Sequence, residues 1–455
     1  MLKHKEMKRL PAVAAGPLGL LGLLGLLGLL GLGGPALGQG LGNAPYSRIG
    51  LGEYNPNVGG VRQAGMGGAG LAAPNAVNVN ELNPALLCFT NRTTFEAGYN
   101  GQYKTVRNAT AKNQSGSGTL GYLALAVPLG PKWGAAVGLK PLSSVEYESN
   151  LVRPIANAPA GDLFLVQNRG TGGLAEAYLA QGLQLGKSLS LGATVSYVQG
   201  TTDETSATTL VQANGVTGNR VVDRIRTRYS DFSYRLGAHY RHKLGTGLFG
   251  NVAGVYSFGS DLAGQRSSTR EQQDPNGAIV AGSALETSNV RGQTRQPALA
   301  QLGLSLDNNK NFSLNLDLAQ QRWSQFNSFG TAPDPLRDTW RGAVGGEFTP
   351  DPGSVEHYFR RVSYRAGVAV AQMPYFAGGQ TFYDRSVSWG FAFPLPSSSA
   401  LDATTFSLAF TYGQRGNTEA VSTATGPASN VQESYLRGTF GLTLNNRWFI
   451  KRRLQ

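Results

Sequence analysis

The chain has one cysteine, Cys88, in 455 residues, so no internal disulfide holds it together. Charged residues make up only 15% of it and histidine occurs four times. Neither a CxxC pair nor an HExxH pattern is present, which removes the common metal and redox sites, and no cofactor is expected. Beyond residue 38 no apolar run is long enough to cross a bilayer as a helix. No block rich in Ala, Glu, Lys and Leu suggests long helices either. What the chain has in excess is glycine, 62 residues, which favours extended structure with many turns. Its length allows two or three ordinary domains or one large β-structure.

The first 38 residues stand apart. MLKHKEMKRL carries Lys3, Lys5, Lys8 and Arg9, an uncharged leucine–glycine run follows, and Ala36-Leu37-Gly38 ends it with small residues at the −3 and −1 positions. A basic head, an apolar middle and a small-x-small end predict a cleaved secretory signal peptide, residues 1–38. The alternative is an uncleaved membrane anchor, but glycine at every third residue weakens that run as a helix. No cysteine follows the run, which argues against a lipid-anchored start. Removing the leader takes four of the 40 Lys+Arg and one of the 27 Asp+Glu, leaving a net charge of +10. In an exported chain that excess points to anionic lipid or an anionic solute rather than nucleic acid.

From residue 93 onward the sequence alternates. SLSLGATVSYV places Leu189, Leu191, Ala193, Val195 and Tyr197 on one face, with Ser188, Ser190, Gly192, Thr194 and Ser196 on the other. NFSLNLDL and TFSLAFTY repeat the pattern at 311–318 and 405–412. A period of two with one apolar face is a β-strand signature. About fourteen such segments follow this rule. They lie near 93–106, 118–129, 132–141, 172–186, 188–200, 222–243, 247–259, 290–307, 311–321, 337–348, 357–370, 380–395, 403–414 and 433–449.

Their connections alternate between short (Gly130-Pro131, Gly186-Lys187, 244–247, 307–310, 349–356, 395–402) and long (107–117, 142–171, 201–221, 260–289, 322–336, 371–379, 415–432). Tight periplasmic turns and long outer loops produce that alternation in an outer-membrane β-barrel, and an even strand number returns both ends to the periplasm. A soluble sandwich array or adhesin would have loops of similar length at both ends and an interrupted pattern at each domain boundary. The expected architecture is therefore all-β: a transmembrane barrel of about 14 antiparallel strands, in the outer membrane of a Gram-negative bacterium.

With the apolar faces turned to lipid, alternation puts Lys140, Arg235, Arg241, Arg341, Arg365 and Arg437 in the lumen, with Glu96, Asp317 and Glu347. These charges either pair across the lumen and hydrate it, or the surplus arginine receives an anionic head such as a carboxylate. His239 joins Arg235, Arg241, Arg341, Arg365 and Arg437 as a candidate for that role. Catalysis has little footing: nothing marks a nucleophile, and a lone inward histidine among arginines is an ordinary polar lumen residue. Were the barrel a lipase, His239→Ala would abolish hydrolysis. Gly65, Gly67, Gly68 and Gly70 spell G-x-G-x-x-G by letter, yet no strand precedes them and no βαβ unit surrounds them. They suit a compact segment that bends and packs closely.

Residues 39–92 precede the first strand and are too long for a leader remnant. SRIGLGEYNPNVGGVRQAGMGGAGLAAPNAVNVNELNPALL, with its Gly-Met-Gly-Gly-Ala-Gly run and Asn83-Pro84-Ala85, resembles the N-terminal hatch of the FadL-like outer-membrane transporters of long-chain fatty acids and other hydrophobic molecules. GLKPLSSVEY (138–147), SYRAGVAVAQMPYF (363–376), SVSWGFAFPLP (386–396) and FGLTLNNRWFIKRR (440–453) resemble the branch of that family found in Bacteroidota. The resemblance implies a hatch, residues 39–92, folded inside a barrel of residues 93–455, and a monomer set among outer-membrane lipid and lipopolysaccharide. It also implies uptake of hydrophobic small molecules, with release through a gap in the wall that the hatch controls. The other function to weigh is a partner-binding component of a secretion or surface-assembly machine. Gly65, Gly67, Gly68, Gly70, Asn80, Asn83, Pro84 and Ala85 are the expected hatch residues. Pro84 restricts Asn83 to extended or turn geometry, and asparagines at 75, 78, 80 and 83 can satisfy irregular backbone in a water-poor lumen. Asn83 to Ala85 are thus expected inside the barrel.

Overall fold

The protein's structure, a computed structural model, describes residues 43–54, 59–155, 161–330, 336–377, 380–396, 403–423 and 426–446. The expected leader, the first residues of the expected hatch and the basic tail Lys451 to Arg453 lie outside the described residues.

Fourteen antiparallel strands make the wall. They are β1 (Thr93–Arg107), β2 (Lys112–Gly130), β3 (Trp133–Pro154), β4 (Leu163–Leu185), β5 (Leu189–Val211), β6 (Thr217–Gly245), β7 (Leu248–Ser257 and Ser260–Gln273) and β8 (Leu285–Gln296 and Leu299–Asp307). They continue as β9 (Phe312–Gln321), β10 (Thr339–Phe348), β11 (Ser363–Ala377), β12 (Gln380–Pro394), β13 (Ala403–Gly416) and β14 (Gln432–Asn446). The ring closes where β14 pairs with β1, Asn446 opposite Thr93 and Gln432 opposite Arg107. Such closure pairs the strand edges that a bilayer would otherwise leave unsatisfied.

The faces follow the alternation. On β9, Phe312, Leu314, Leu316 and Leu318 are exposed, while Ser313, Asn315 and Asp317 are buried. On β5, Leu189, Leu191, Val195 and Tyr197 are exposed, while Ser190, Thr194 and Ser196 are buried. An apolar outside and a polar inside is the arrangement of an outer-membrane barrel.

Each alternating segment corresponds to one wall strand, but the long connections are mostly strand. β3 runs on to Pro154, β5 to Val211 and β7 to Gln273, and β1 and β2 are joined by residues 108–111 alone. Beyond the lipid belt neither face needs to be apolar. The ladders therefore continue through Thr-, Ser-, Asn- and Arg-rich sequence in which the period of two has faded. The segment expected from residue 357 starts instead at Ser363, after a helical turn, Tyr358–Arg361.

One ladder stops short. β2 and β3 pair only from Gly130–Trp133 to Leu123–Leu139. Farther out β2 pairs only with β1, and β3 continues against β4 with a bulge at Pro141–Ser143. Proline has no N–H to give a ladder, and the wall parts beside it.

Candidate functional site

Residues 59–92 lie inside the ring. A short helix, α1 (Val61–Ala64), meets β12, β13 and β14, and the 3-10 turn Pro84–Phe89 meets β2 to β6. The glycine run turns the chain between them: Gly67, Gly68 and Gly70 have φ of +69°, +76° and +125°, which side chains beyond glycine rarely adopt. Small residues on the wall let this backbone approach. A Cβ at Gly345 or Gly367 would overlap the Met66 carbonyl, and one at Gly192 would overlap Pro84-Ala85. Ala124, Ala126, Ala136 and Ala180 line the same inner surface, packed with Val79 and Leu87.

The asparagines hold the segment's irregular part. Asn83 caps the 3-10 turn, its Oδ1 accepting from Ala85 N at 3.0 Å, and its Nδ2 donates to Leu71 O at 3.2 Å and Ala238 O at 3.4 Å. Asn80 donates to Gly70 O at 2.9 Å and accepts from Leu82 N and Asn83 N. Asn75 closes its own turn by accepting from Val77 N and Asn78 N. Asn78 reaches the wall instead, donating to Glu96 Oε1 at 2.8 Å and to Thr443. Pro84 and Ala85 are buried against Gly182, Gly192 and Gly237.

Each of the three carboxylates expected in the lumen, Glu96, Asp317 and Glu347, holds this segment. Glu96 also accepts from Val79 N, Asp317 accepts from Gly70 N at 2.8 Å and Leu71 N at 2.9 Å, and Glu347 accepts from Arg62 at 3.0 Å and from Arg365 at 2.6 Å. The six cationic candidates are not gathered into one site. Arg365 belongs to the Glu347 pair, Arg341 donates to the Gly67 carbonyl, and Arg235 donates to Glu81 O. Arg241 is paired with Asp307 at 2.8 Å and stacked over Phe249. Arg437 donates to Gln102 at 2.9 Å. His239 is buried, edge-on to Phe89 at 5.5 Å. Among the described residues no group of acidic, Cys and His side chains could hold a metal ion.

Residues 43–54 occupy the parted wall. Glu53 and Tyr54 pair with Ser144 and Ser143 of β3. Ala44 N donates to Glu146 O, Glu146 N donates to Ser47 Oγ, and Asn43 exchanges two bonds with Glu148. The far side of the segment crosses to other strands. Tyr46 stacks on Tyr375 at 4.5 Å, and Glu53 pairs with Arg415 and Lys104, which both pair with Glu433. Glu53, Lys104, Arg415 and Glu433, with Arg437 3.9 Å from Glu53, form a largely buried cluster of which the sequence reading singled out only Arg437. The signal for Lys104 was its place in the inward register of Glu96 and Gln102 on β1.

Between residues 46–54 and the glycine run lies a cavity of about 260 Å³. One part of its lining is apolar, with Leu299, Ala369 and Met373, and another is polar, with Arg341, Asp384 and Tyr435. Pro141, Ser143 and Ser144 of β3 also line it, so the cavity adjoins the place where β2 and β3 part.

A family model described as BamG matches residues 29–455. No curated protein sequence matches. Among solved structures, a Pseudomonas aeruginosa FadL homologue is similar with a TM-score of 0.60 and 14% identity, over 88% of this chain and 99% of that one. The Pseudomonas putida toluene transporter TodX is similar with a TM-score of 0.55 and 17% identity, over 86% and 98%. The Ralstonia pickettii toluene transporter TbuX gives a TM-score of 0.53 and 15% identity, over 86% and 100%. At these identities the likeness is one of fold.

Proposed function

The chain belongs to the BamG family, and we propose that it is an outer-membrane channel for uptake of hydrophobic small molecules, with long-chain fatty acids the first class to test. The observation that carries this is the position of the cavity, part apolar and part polar, beside the parted β2–β3 wall. A molecule held there has a sideways route to lipid that crosses only residues 43–54. Residues 59–92 act as the hatch, and no chemistry takes place. In this reading Arg341 is the anchor for an anionic head, since its hydrogen-bond partner is the Gly67 carbonyl rather than a carboxylate. A head group that took Arg341 would release that carbonyl from the wall. The volume, about 260 Å³, lies below the ~300–1,000 Å³ of drug-sized pockets. It holds a compact hydrocarbon whole, and a long acyl chain only if the chain runs on toward the gap. Two of the similar structures are described as toluene transporters, which makes a monoaromatic hydrocarbon the second test ligand. Cells lacking the gene should take up labelled oleate or toluene more slowly, with recovery on complementation by the wild type and not by Arg341→Ala for oleate. Unchanged uptake of both would sink the proposal.

A second reading is a partner-binding barrel in a secretion or surface-assembly machine. The firm anchoring of the inner segment favours it: Arg62 to Glu347, and Glu81 to Lys140 at 3.2 Å, tie that segment to opposite walls, as suits a static plug. A stoichiometric protein partner recovered without bound lipid would support this reading over transport.

A further inference from the structure

We infer that the cavity's outer roof and the gap in its side wall open together, because one stretch, residues 49–54, closes both. The inference rests on the cavity being the channel's compartment, and it adds how that compartment is regulated. On the outer side the cavity is roofed by Trp323 and Leu336, from the β9–β10 connection, and by Ile49 and Tyr54. Trp323 and Phe326 pack with Leu51 into an apolar cluster against inward residues of five wall strands: Leu142, Leu174, Val198, Tyr229 and Leu262. Tyr54 meets Trp323 edge-to-face at 5.9 Å and receives a hydrogen bond from Gln296. Gly50, at φ +69°, brings its backbone so close that a Cβ would lie 3.1 Å from the Trp323 ring.

The same stretch faces the gap. Gly52 lies against β3, where a Cβ would come within 2.5 Å of Ser144 O, and Glu53 and Tyr54 pair with Ser144 and Ser143. Within six residues, Gly50 and Leu51 belong to the roof and Gly52 and Glu53 to the side plug. Tyr54 belongs to both. Lifting Trp323 removes the packing that holds Leu51 and Tyr54, and drawing Glu53 off its ion pair pulls Tyr54 from Trp323. Coupling between two such sites is reciprocal by thermodynamic necessity.

Hydrogen exchange on the full-length protein in lipid nanodiscs tests this from both ends. Trp323→Ala should speed exchange not only near residue 323 but also across residues 43–54 and at Glu146 and Glu148, on the order of tenfold. Glu53→Gln, which leaves the roof residues intact, should speed exchange across 322–327 by a similar factor. Amides of β11 to β13 should stay protected in both, and heat-modifiable migration on gels reports that the barrel has formed. If Trp323→Ala does not fold, Glu53→Gln alone decides the matter. Faster exchange confined to the mutated end in the folded variants overturns the inference. Because no ligand is used, that result leaves the uptake reading to its own test.

Discussion

Glu53, in the segment that fills the parted wall, and Arg415, on β13, form a two-point ion pair: Nη1 lies 2.9 Å from Oε1 and Nη2 lies 3.0 Å from Oε2. Burial by itself raises the Glu53 pKa, but Arg415 and Lys104 beside it outweigh burial and hold the carboxyl well below its ordinary value. A depressed folded-state pKa stabilises at every pH above the unfolded value, and the contribution is lost as pH falls through the folded one. Residues 43–54 should therefore stay protected from neutral through mild acid and come loose only in strong acid. Arg415→Met removes the largest of the cationic influences, so burial gains weight and release should begin at higher pH. Protease sensitivity of the segment, followed against pH, checks this. Identical release profiles for the two proteins would contradict it.

Asn83 tests how the inner segment is held. Its amide makes one accepted and two donated hydrogen bonds, all to backbone. Asn83→Asp keeps the acceptor that caps the 3-10 turn and loses both donations, whereas Asn83→Ala loses all three. Loss of a cap costs about 0.5–2 kcal/mol, and each buried carbonyl left unpaired costs about 1–3 kcal/mol. Hydrogen exchange across residues 80–90 should rise in both variants, with the strands unchanged. Equal exchange in all three proteins would mean the asparagine does not hold the segment.

The wall was legible in the sequence because lipid imposes a period of two on every strand that touches it. Where lipid ends the pattern fades, and the outer parts of β3, β5 and β7 read as loops although their ladders continue. Asn83, Pro84 and Ala85 could be placed inside from the hatch resemblance. Their partners could not. Asp317 bonds Gly70 across 247 residues and Glu347 bonds Arg62 across 285, contacts that exist only once the ring has closed. The inward glycines were readable but unread. Gly192, Gly345 and Gly367 interrupt strands at positions the alternation already turned toward the lumen, where a glycine marks the close approach of another backbone.

That approach gives a prediction with its own control. A Cβ at Gly345 would overlap the Met66 carbonyl, while one at Gly254 finds its nearest neighbour, Leu302 Cδ2, at 3.7 Å. Gly345→Ala should displace the glycine run at a cost of about 1–3 kcal/mol, the range for an overfilled core. Gly254→Ala should be neutral. Thermal unfolding in detergent, with proteolysis inside residues 59–92 as the local readout, separates the two. A Gly345→Ala protein as resistant as wild type would mean the segment does not press on the wall there.

Glu347 shows whether charge, rather than shape, keeps the segment closed. It joins Arg62 and Arg365, both almost wholly buried, and no other carboxylate pairs with either among the described residues. Glu347→Gln preserves the shape and leaves two buried cations with only a neutral amide between them, and breaking a buried pair in this way costs roughly 3–5 kcal/mol. Much of that strain can be relieved by letting Arg62, and the segment that carries it, leave the wall. Planar-bilayer recordings should show the wild type closed and Glu347→Gln opening repeatedly. Replacing the whole cluster, Arg62→Met with Glu347→Leu and Arg365→Met, removes the stranded charges and should restore closure, since apolar replacements of buried ion clusters are often neutral or stabilising. A triple variant that conducts as freely as Glu347→Gln would show instead that the ion pairs themselves are the fastening.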